Sequence, residues 1–140
     1  MRLSIRNQFP ATITAVARGE VMATVRSRLA GGQEVTAAVT LEGADELELA
    51  EGQPVTVLIK ATELAVATGE VGNLSIRNRI PGTIESITHG AVMTTIKVDI
   101  GGGDTLTAVI TKEAAQDLGL ADGDPVTALV KSTEVSLAIG

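Results

Sequence analysis

The chain contains no cysteine, no tryptophan and no tyrosine, and Phe9 is its one aromatic residue. Without cysteine, disulfides and thiolate metal sites are excluded, and a lone histidine, His89, cannot build a His-rich metal site. Without aromatic platforms there is nothing on which nucleobases would stack. Excess positive charge is missing too. A formal net charge of −6 and a pI near 4.7 oppose broad attraction to nucleic acid or anionic lipid, so neither is expected as a partner. Long apolar runs are also lacking: nothing approaches the roughly 20 residues of a membrane-spanning helix. The opening Met1-Arg2-Leu3-Ser4-Ile5-Arg6-Asn7 turns polar before a signal-length run can form. These absences lead to the expectation of a soluble cytoplasmic protein. No Ser-His-acid set recurs along the chain, and no enzyme activity is expected.

What is present is aliphatic. Apolar residues make up 44% of the 140 and charged residues 20%, a globular balance in which Val, Ile, Leu, Ala and Met must fill the core. The chain suits one ordinary domain or two very small ones. Displacing the sequence on itself by about 71 positions aligns residues 3–68 with 74–139 without a gap, nearly half of the pairs being identical. Leu3-Ser4-Ile5-Arg6-Asn7 recurs as Leu74-Ser75-Ile76-Arg77-Asn78, and Lys60-Ala61-Thr62-Glu63 as Lys131-Ser132-Thr133-Glu134. The sequence therefore divides into one module at 1–68, a linker at 69–73 and a second module at 74–140. So short a linker predicts modules packed side by side. Small modules filled by small side chains bury little area each, which favours association.

Inside each module the hydrophobic period is two. Val21, Ala23, Val25, Ser27 and Leu29 alternate with Met22, Thr24, Arg26 and Arg28, and Val92, Thr94, Ile96, Val98 and Ile100 with Met93, Thr95, Lys97 and Asp99. Lys97 falls on the face expected to be solvated. Gly31-Gly32 and Gly102-Gly103 then read as hairpin turns, the triplet Gly101-Gly102-Gly103 being a hairpin tip and no phosphate loop. Glu42–Leu49 and Glu113–Leu120 each predict a helix of at most two turns. Strands near Ile5, Thr12–Ala17, Val55–Ile59 and Leu64–Ala67 complete the count. The predicted fold is all-β: two tandem OB-like barrels, each of five or six short strands and one short helix. His89 reads as a solvated turn residue, and Glu42, Glu46, Glu48 and Glu51 as a solvated face whose spacing fits no Ca²⁺ loop.

Ser4, Arg6 and Asn7 share one segment, Lys60 opens the step into the last strand, and all four recur as Ser75, Arg77, Asn78 and Lys131. A planar fork of donors, a point charge and short polar donors are the means by which proteins hold tetrahedral oxyanions. On residue type alone, a solvated strand face is the commoner explanation of isolated Arg and Lys.

In their order and spacing, Leu-Ser-Ile-Arg-Asn, Gly-x-Val-Met, the double glycine, Leu-x-Leu-x-x-Gly-x-Pro-Val and Lys-Ala/Ser-Thr-Glu resemble the molybdenum-pterin-binding-like module, also called the Mop or TOBE module. The resemblance spans nearly the whole chain, twice, and a tandem pair is similar to the two-module molbindins. It implies cytoplasmic binding and storage of molybdate and tungstate at interfaces between modules, with an opening strand that reaches into a neighbour. It also implies assembly of three chains into a six-module ring. The bound ligand would be molybdate or tungstate, with no organic cofactor and no metal ligated directly. Carried over by position, the implied ligands are Ser4, Arg6, Thr40, Lys60 and Ala61, then Ser75, Arg77, Thr111, Lys131 and Ser132. Asn7 and Asn78 match the signature as ligands or as braces. A second class of site would use backbone amides of Gly19-Glu20-Val21 and Gly90-Ala91-Val92, although the Glu20 carboxylate opposes an anion there. Similar modules occur on regulators and transport ATPases, so a molybdate-responsive interaction module is the alternative function.

Overall fold

A computed structural model describes residues 1–140. The first half runs β1 (Asn7–Arg18), β2 (Met22–Leu29), β3 (Glu34–Thr40), α1 (Leu41–Glu46), β4 (Pro54–Ile59), a 3-10 turn (Ala61–Glu63) and β5 (Ala65–Ala67). The second half repeats this as β6 (Asn78–His89), β7 (Met93–Gly101), β8 (Asp104–Thr111), α2 (Lys112–Asp117), β9 (Pro125–Val130), a 3-10 turn (Ser132–Glu134) and β10 (Val135–Ala138). The all-β fold with one short helix per module is as expected, at five strands per module. The opening segment around Ile5, however, is not a strand. Neither helix is long and apolar enough to cross a membrane.

The alternation read from sequence matches burial from Ala23 and Thr94 onward, but Val21 and Val92, expected on the buried face, are exposed in the turns before β2 and β7. Along β2, Ala23, Val25, Ser27 and Leu29 are buried while Met22, Thr24, Arg26 and Arg28 are exposed. β1 and β6 are long because each serves two neighbours. Asn7–Thr12 pairs with β4 and Ala11–Arg18 with β2, and a register shift between Ile13 and Ala15 marks the bend that lets one strand do both. β6 shifts at the equivalent place, between Ile84 and Ser86.

The strand order departs from the expectation. One sheet runs β10-β4-β1-β2-β3 and the other β5-β9-β6-β7-β8, all neighbours antiparallel. It is thus the closing strand of each half that crosses into the other half, whereas the opening strand, implied to reach across, pairs within its own module. Val135 lies opposite Ile59 and Leu137 opposite Val57; Ala65 lies opposite Leu129 and Ala67 opposite Thr127. The modules consequently share a core. Phe9, Val57, Ile59 and Leu64 pack in one apolar cluster with Ile80, Ile96, Val98, Leu106, Val130 and Val135, while Ile13, Ala23, Val25, Ala44, Leu49 and Val55 form a smaller cluster within the first module.

Polar contacts close the seam. Asn7 is buried, its Nδ2 donating to the Ile59 carbonyl at 3.0 Å and to the Thr107 carbonyl at 2.8 Å, while its Oδ1 accepts from the Thr107 N–H at 2.7 Å. Asn78 treats Thr36 alike, at 2.8 Å to the carbonyl and 2.7 Å from the N–H. Each amide thereby imitates a strand and pairs with the outer edge of β8 or β3, an edge that would otherwise bury unpaired backbone groups. Gln33 Nε2 donates to the Ile100 carbonyl across the same junction. There the hairpin tips meet so closely that a Cβ on Gly102 would collide with the backbone of Ala30 and Gly31, and its positive φ of 66° also favours glycine.

Candidate functional site

The segment leading into β1 and the step leaving β4 come together because Asn7 pairs with Ile59 at the end of the β1–β4 ladder. Ser4 and Arg6 lie just before Asn7, and Lys60 and Ala61 just after Ile59. The four, with Ile5 and Thr62, line a cleft of about 300 Å³. Pairing of Asn78 with Val130 builds the same cleft again from Ser75, Ile76, Arg77, Lys131, Ser132 and Thr133, also about 300 Å³. The 3-10 turns that carry Lys60-Ala61 and Lys131-Ser132 pack toward β8 and β3 of the opposite module, so both clefts sit at the module junction.

Each cleft combines a guanidinium, an ammonium and short hydroxyls, with no carboxylate among its lining residues. Such a set suits a small anion rich in acceptor oxygens. Arg, Lys and Ser4 or Ser75 are exposed, whereas the position after lysine is recessed: Ala61 is buried and Ser132 half-buried. The Ser132 Oγ is inaccessible to solvent and has no hydrogen-bond partner. An unpaired buried hydroxyl costs free energy until something supplies the missing acceptor. Arg6 donates from Nε to the Ser4 carbonyl at 3.2 Å and from Nη2 to the Leu3 carbonyl at 3.0 Å, leaving Nη1 and the second Nη2 hydrogen available.

The remaining candidates lie elsewhere. Asn7 lines neither cleft and its two amide hydrogens are already given to carbonyls, so it braces the strand; Asn78 is likewise committed to Thr36. Thr40 and Thr111 end β3 and β8, where each Oγ1 caps the following helix by accepting a backbone N–H at 3.1 Å, from Gly43 and Ala114. They are outside the clefts of their own chain. In the turns, the Gly19 and Gly90 amides are spent on the Met22 and Met93 carbonyls at 2.8 and 2.7 Å, and the Val21 and Val92 carbonyls accept from Leu41 and Lys112. Glu20 and Ala91 are exposed beside them. The amides of Gly19 and Gly90 are therefore not free to receive an anion.

Two sequence readings need correction. Lys97 is half-buried, its Nζ donating to Thr107 Oγ1 at 2.8 Å, and so supports the residue that Asn7 engages. His89 is exposed but not idle: Nδ1 lies 2.9 Å from the hydroxyl of buried Thr94. In its place in the first module, Arg18 ties the end of β1 to α1 through Asp45 at 3.2 Å and the Leu49 carbonyl at 3.0 Å. Sequence reasoning missed Thr62 and Thr133, although Lys-x-Thr-Glu recurs in both halves, and Ile5 and Ile76, which form the apolar side of each cleft.

Comparison with known proteins agrees with this architecture. The chain is 43% identical over 140 residues to the molybdenum-pterin-binding protein MopA of Rhodobacter capsulatus, and 39% identical to MopB of the same organism, covering 99% of this chain and 53% and 52% of theirs. It thus spans about half the length of these curated relatives. The solved structure of ModG, a cytoplasmic molybdate-binding protein with molybdate bound, superposes with a TM-score of 0.97 at 38% identity, covering 100% of both chains. The model of the TOBE domain matches residues 3–66 and again 74–137, and the chain belongs to the TOBE-domain family.

Proposed function

We propose that this protein binds molybdate, and tungstate with it, in its two Ser–Arg/Lys clefts, and holds the anion in the cytoplasm without transforming it. The observation that carries the reading is the duplicated cleft: one Ser, one Arg, one Lys and one Thr at aligned positions, gathered twice with no lining carboxylate. The near-complete superposition on a molybdate-bound relative supports the choice of anion. Donors fixed by folded elements fit one radius of tetrahedral dianion best, so tungstate should compete closely with molybdate and the smaller sulfate weakly.

Three chains associating into a ring complete this reading. Val21, Met22 and Leu47 in one module and Val92, Met93 and Leu118 in the other are exposed apolar side chains at equivalent places, a repeated surface suited to self-association. In such a ring the spare O–H donors of Thr40 and Thr111 would be open to anions held between chains. Sedimentation equilibrium should report a trimer; a stable monomer at micromolar concentration would contradict it.

Calorimetric titration with molybdate tests the site. Hydrogen bonds to charged groups contribute about 1.5–3 kcal/mol, so Arg6→Ala or Lys60→Ala should weaken the first cleft roughly tenfold to a hundredfold, and Arg77→Ala or Lys131→Ala the second. Arg28→Ala, on the exposed face of β2, is the control. Unchanged affinity and stoichiometry in both Arg6→Ala and Lys60→Ala, with the fold intact, would refute the assignment.

A further inference from the structure

The two clefts of one chain are built from aligned residues, yet they differ at one lining residue and in the hydrogen bonds of their arginine. Where the second has Ser132, with a buried hydroxyl lacking any partner, the first has Ala61, which offers only a methyl group. Arg6 is bonded back onto the Ser4 and Leu3 carbonyls at 3.2 and 3.0 Å, whereas Arg77 makes no such bonds. Both differences act in the same direction. Turning about its Cα–Cβ bond brings the Ser132 hydroxyl, which no protein group holds, to an anion in the second cleft, so one hydrogen bond is gained where none has to be broken. An anion entering the first cleft gains no hydroxyl at that position and competes with two backbone carbonyls for Arg6.

We propose that the chain is a graded pair of oxyanion sites, in which Ser132 makes the second cleft about tenfold tighter than the first and therefore the first to fill. The proposal rests on the anion-binding reading above and adds an order of occupancy to it. Ser132 is then the affinity-determining residue and Ala61 marks the weaker position. A chain of this kind responds over a wider range of anion concentration than two equal sites would.

The test is an amide-resolved NMR titration of the full chain with sodium molybdate. At one molybdate per chain, a tenfold ratio places the anion in about three-quarters of the second clefts and about one-quarter of the first. The bound-state signals of Ser132 and Thr133 should then exceed those of Ala61 and Thr62 by about threefold. Ser132→Ala should equalise the two sets apart from the contribution of Arg77, and the exchange variant Ala61→Ser/Ser132→Ala should shift occupancy toward the first cleft. Neither change adds more than one oxygen atom, and an unchanged spectrum outside the clefts verifies the fold. Equal filling in the unmodified chain, or no shift of occupancy in the exchange variant, overturns the proposal while leaving molybdate binding intact. Absence of heat and of any amide shift on adding molybdate instead overturns the underlying reading, and the proposal with it.

Discussion

The two modules bury the same face of the same strand with different side chains: Val25, Ser27 and Leu29 in the first, Ile96, Val98 and Ile100 in the second. The second run is continuous and joins the large shared core throughout, whereas the first is interrupted by a hydroxyl, and the residues beyond it, Val25 and Ala23, fall into a separate small cluster. Ser27 is fully buried and its Oγ has no partner. A neighbouring position explains why valine is accommodated only in the second module. A Cβ at Gly82 would come within 2.5 Å of Val98 Cγ1, and the first module has Ala11 where the second has Gly82. Duplication evidently allowed two solutions, a small strand residue facing a large one and the reverse. They are not equally good, because only one leaves a polar atom unpaired in the core.

The largest expected effect comes from separating the modules. A polypeptide of residues 1–68 retains β5 but loses β10 from its own β4 edge, so it should be unfolded at low concentration and should pair with a second copy by exchanging β5. Circular dichroism across a dilution series reads this out; a half-chain that stays folded and monomeric at any dilution would show the exchange to be dispensable. Next, Val98→Ser should impose the first module's flaw on the second, costing about 2–4 kcal/mol by lost packing and a buried hydroxyl. Ser27→Ala should instead stabilise by up to about 1 kcal/mol, and chemical denaturation of the pair measures both.

The seam sharpens the contrast further. Asn7 makes three hydrogen bonds, two of them to buried Thr107, and Asn78 makes two, to half-buried Thr36. Asn7→Ala should therefore cost about 3 kcal/mol and Asn78→Ala about 2, since each strands backbone groups at about 1–3 kcal/mol. Equal losses would mean that burial of the partner does not matter here. The smallest effect concerns the turn after each helix. Glu48 has φ of 52° where Gly119 has 61°, a conformation unfavourable for a residue with Cβ. Gly119→Ala should lower stability by about 1 kcal/mol and Glu48→Gly should raise it by less, both measurable as shifts in denaturation midpoint.

Much of this was legible in the sequence because it depends on local pattern. Alternation along Val21–Leu29 and Val92–Ile100, the glycine tips and the short helices before Gly52 and Gly123 each follow from a period or a breaker. Strand exchange was not legible. Leu64, Val66 and Ala67 present almost the same apolar pattern as Val135, Leu137 and Ala138, so either closing strand fits either edge, and pairing is decided by where the chain can reach. The clefts were half legible: Arg and Lys betray themselves by type, but their meeting depends on the pairing of Asn7 with Ile59, a contact far apart in sequence. The role of the two asparagines was hidden for the same reason, since an amide that completes a distant strand edge looks, in one dimension, like any other polar residue beside an arginine. Lys97 misled because alternation assigns a face and cannot say that a hydroxyl on the neighbouring strand, Thr107, will hold the ammonium there.

The exchanged strands also set a timetable for synthesis. When the first half leaves the ribosome, the edge of β4 that β10 will occupy and the Asn7 amide that Thr107 will receive both lack partners encoded about 80 and 100 residues downstream. At roughly 5–20 residues per second, that open edge persists for about 4–16 s on every nascent chain. During this interval the nearest strand able to fill it is β5 of the same half, borne by the neighbouring chain on the same messenger. A protein whose finished form has its strands crossed between halves thus carries, while it is being made, a choice between closing on itself and closing on its sibling.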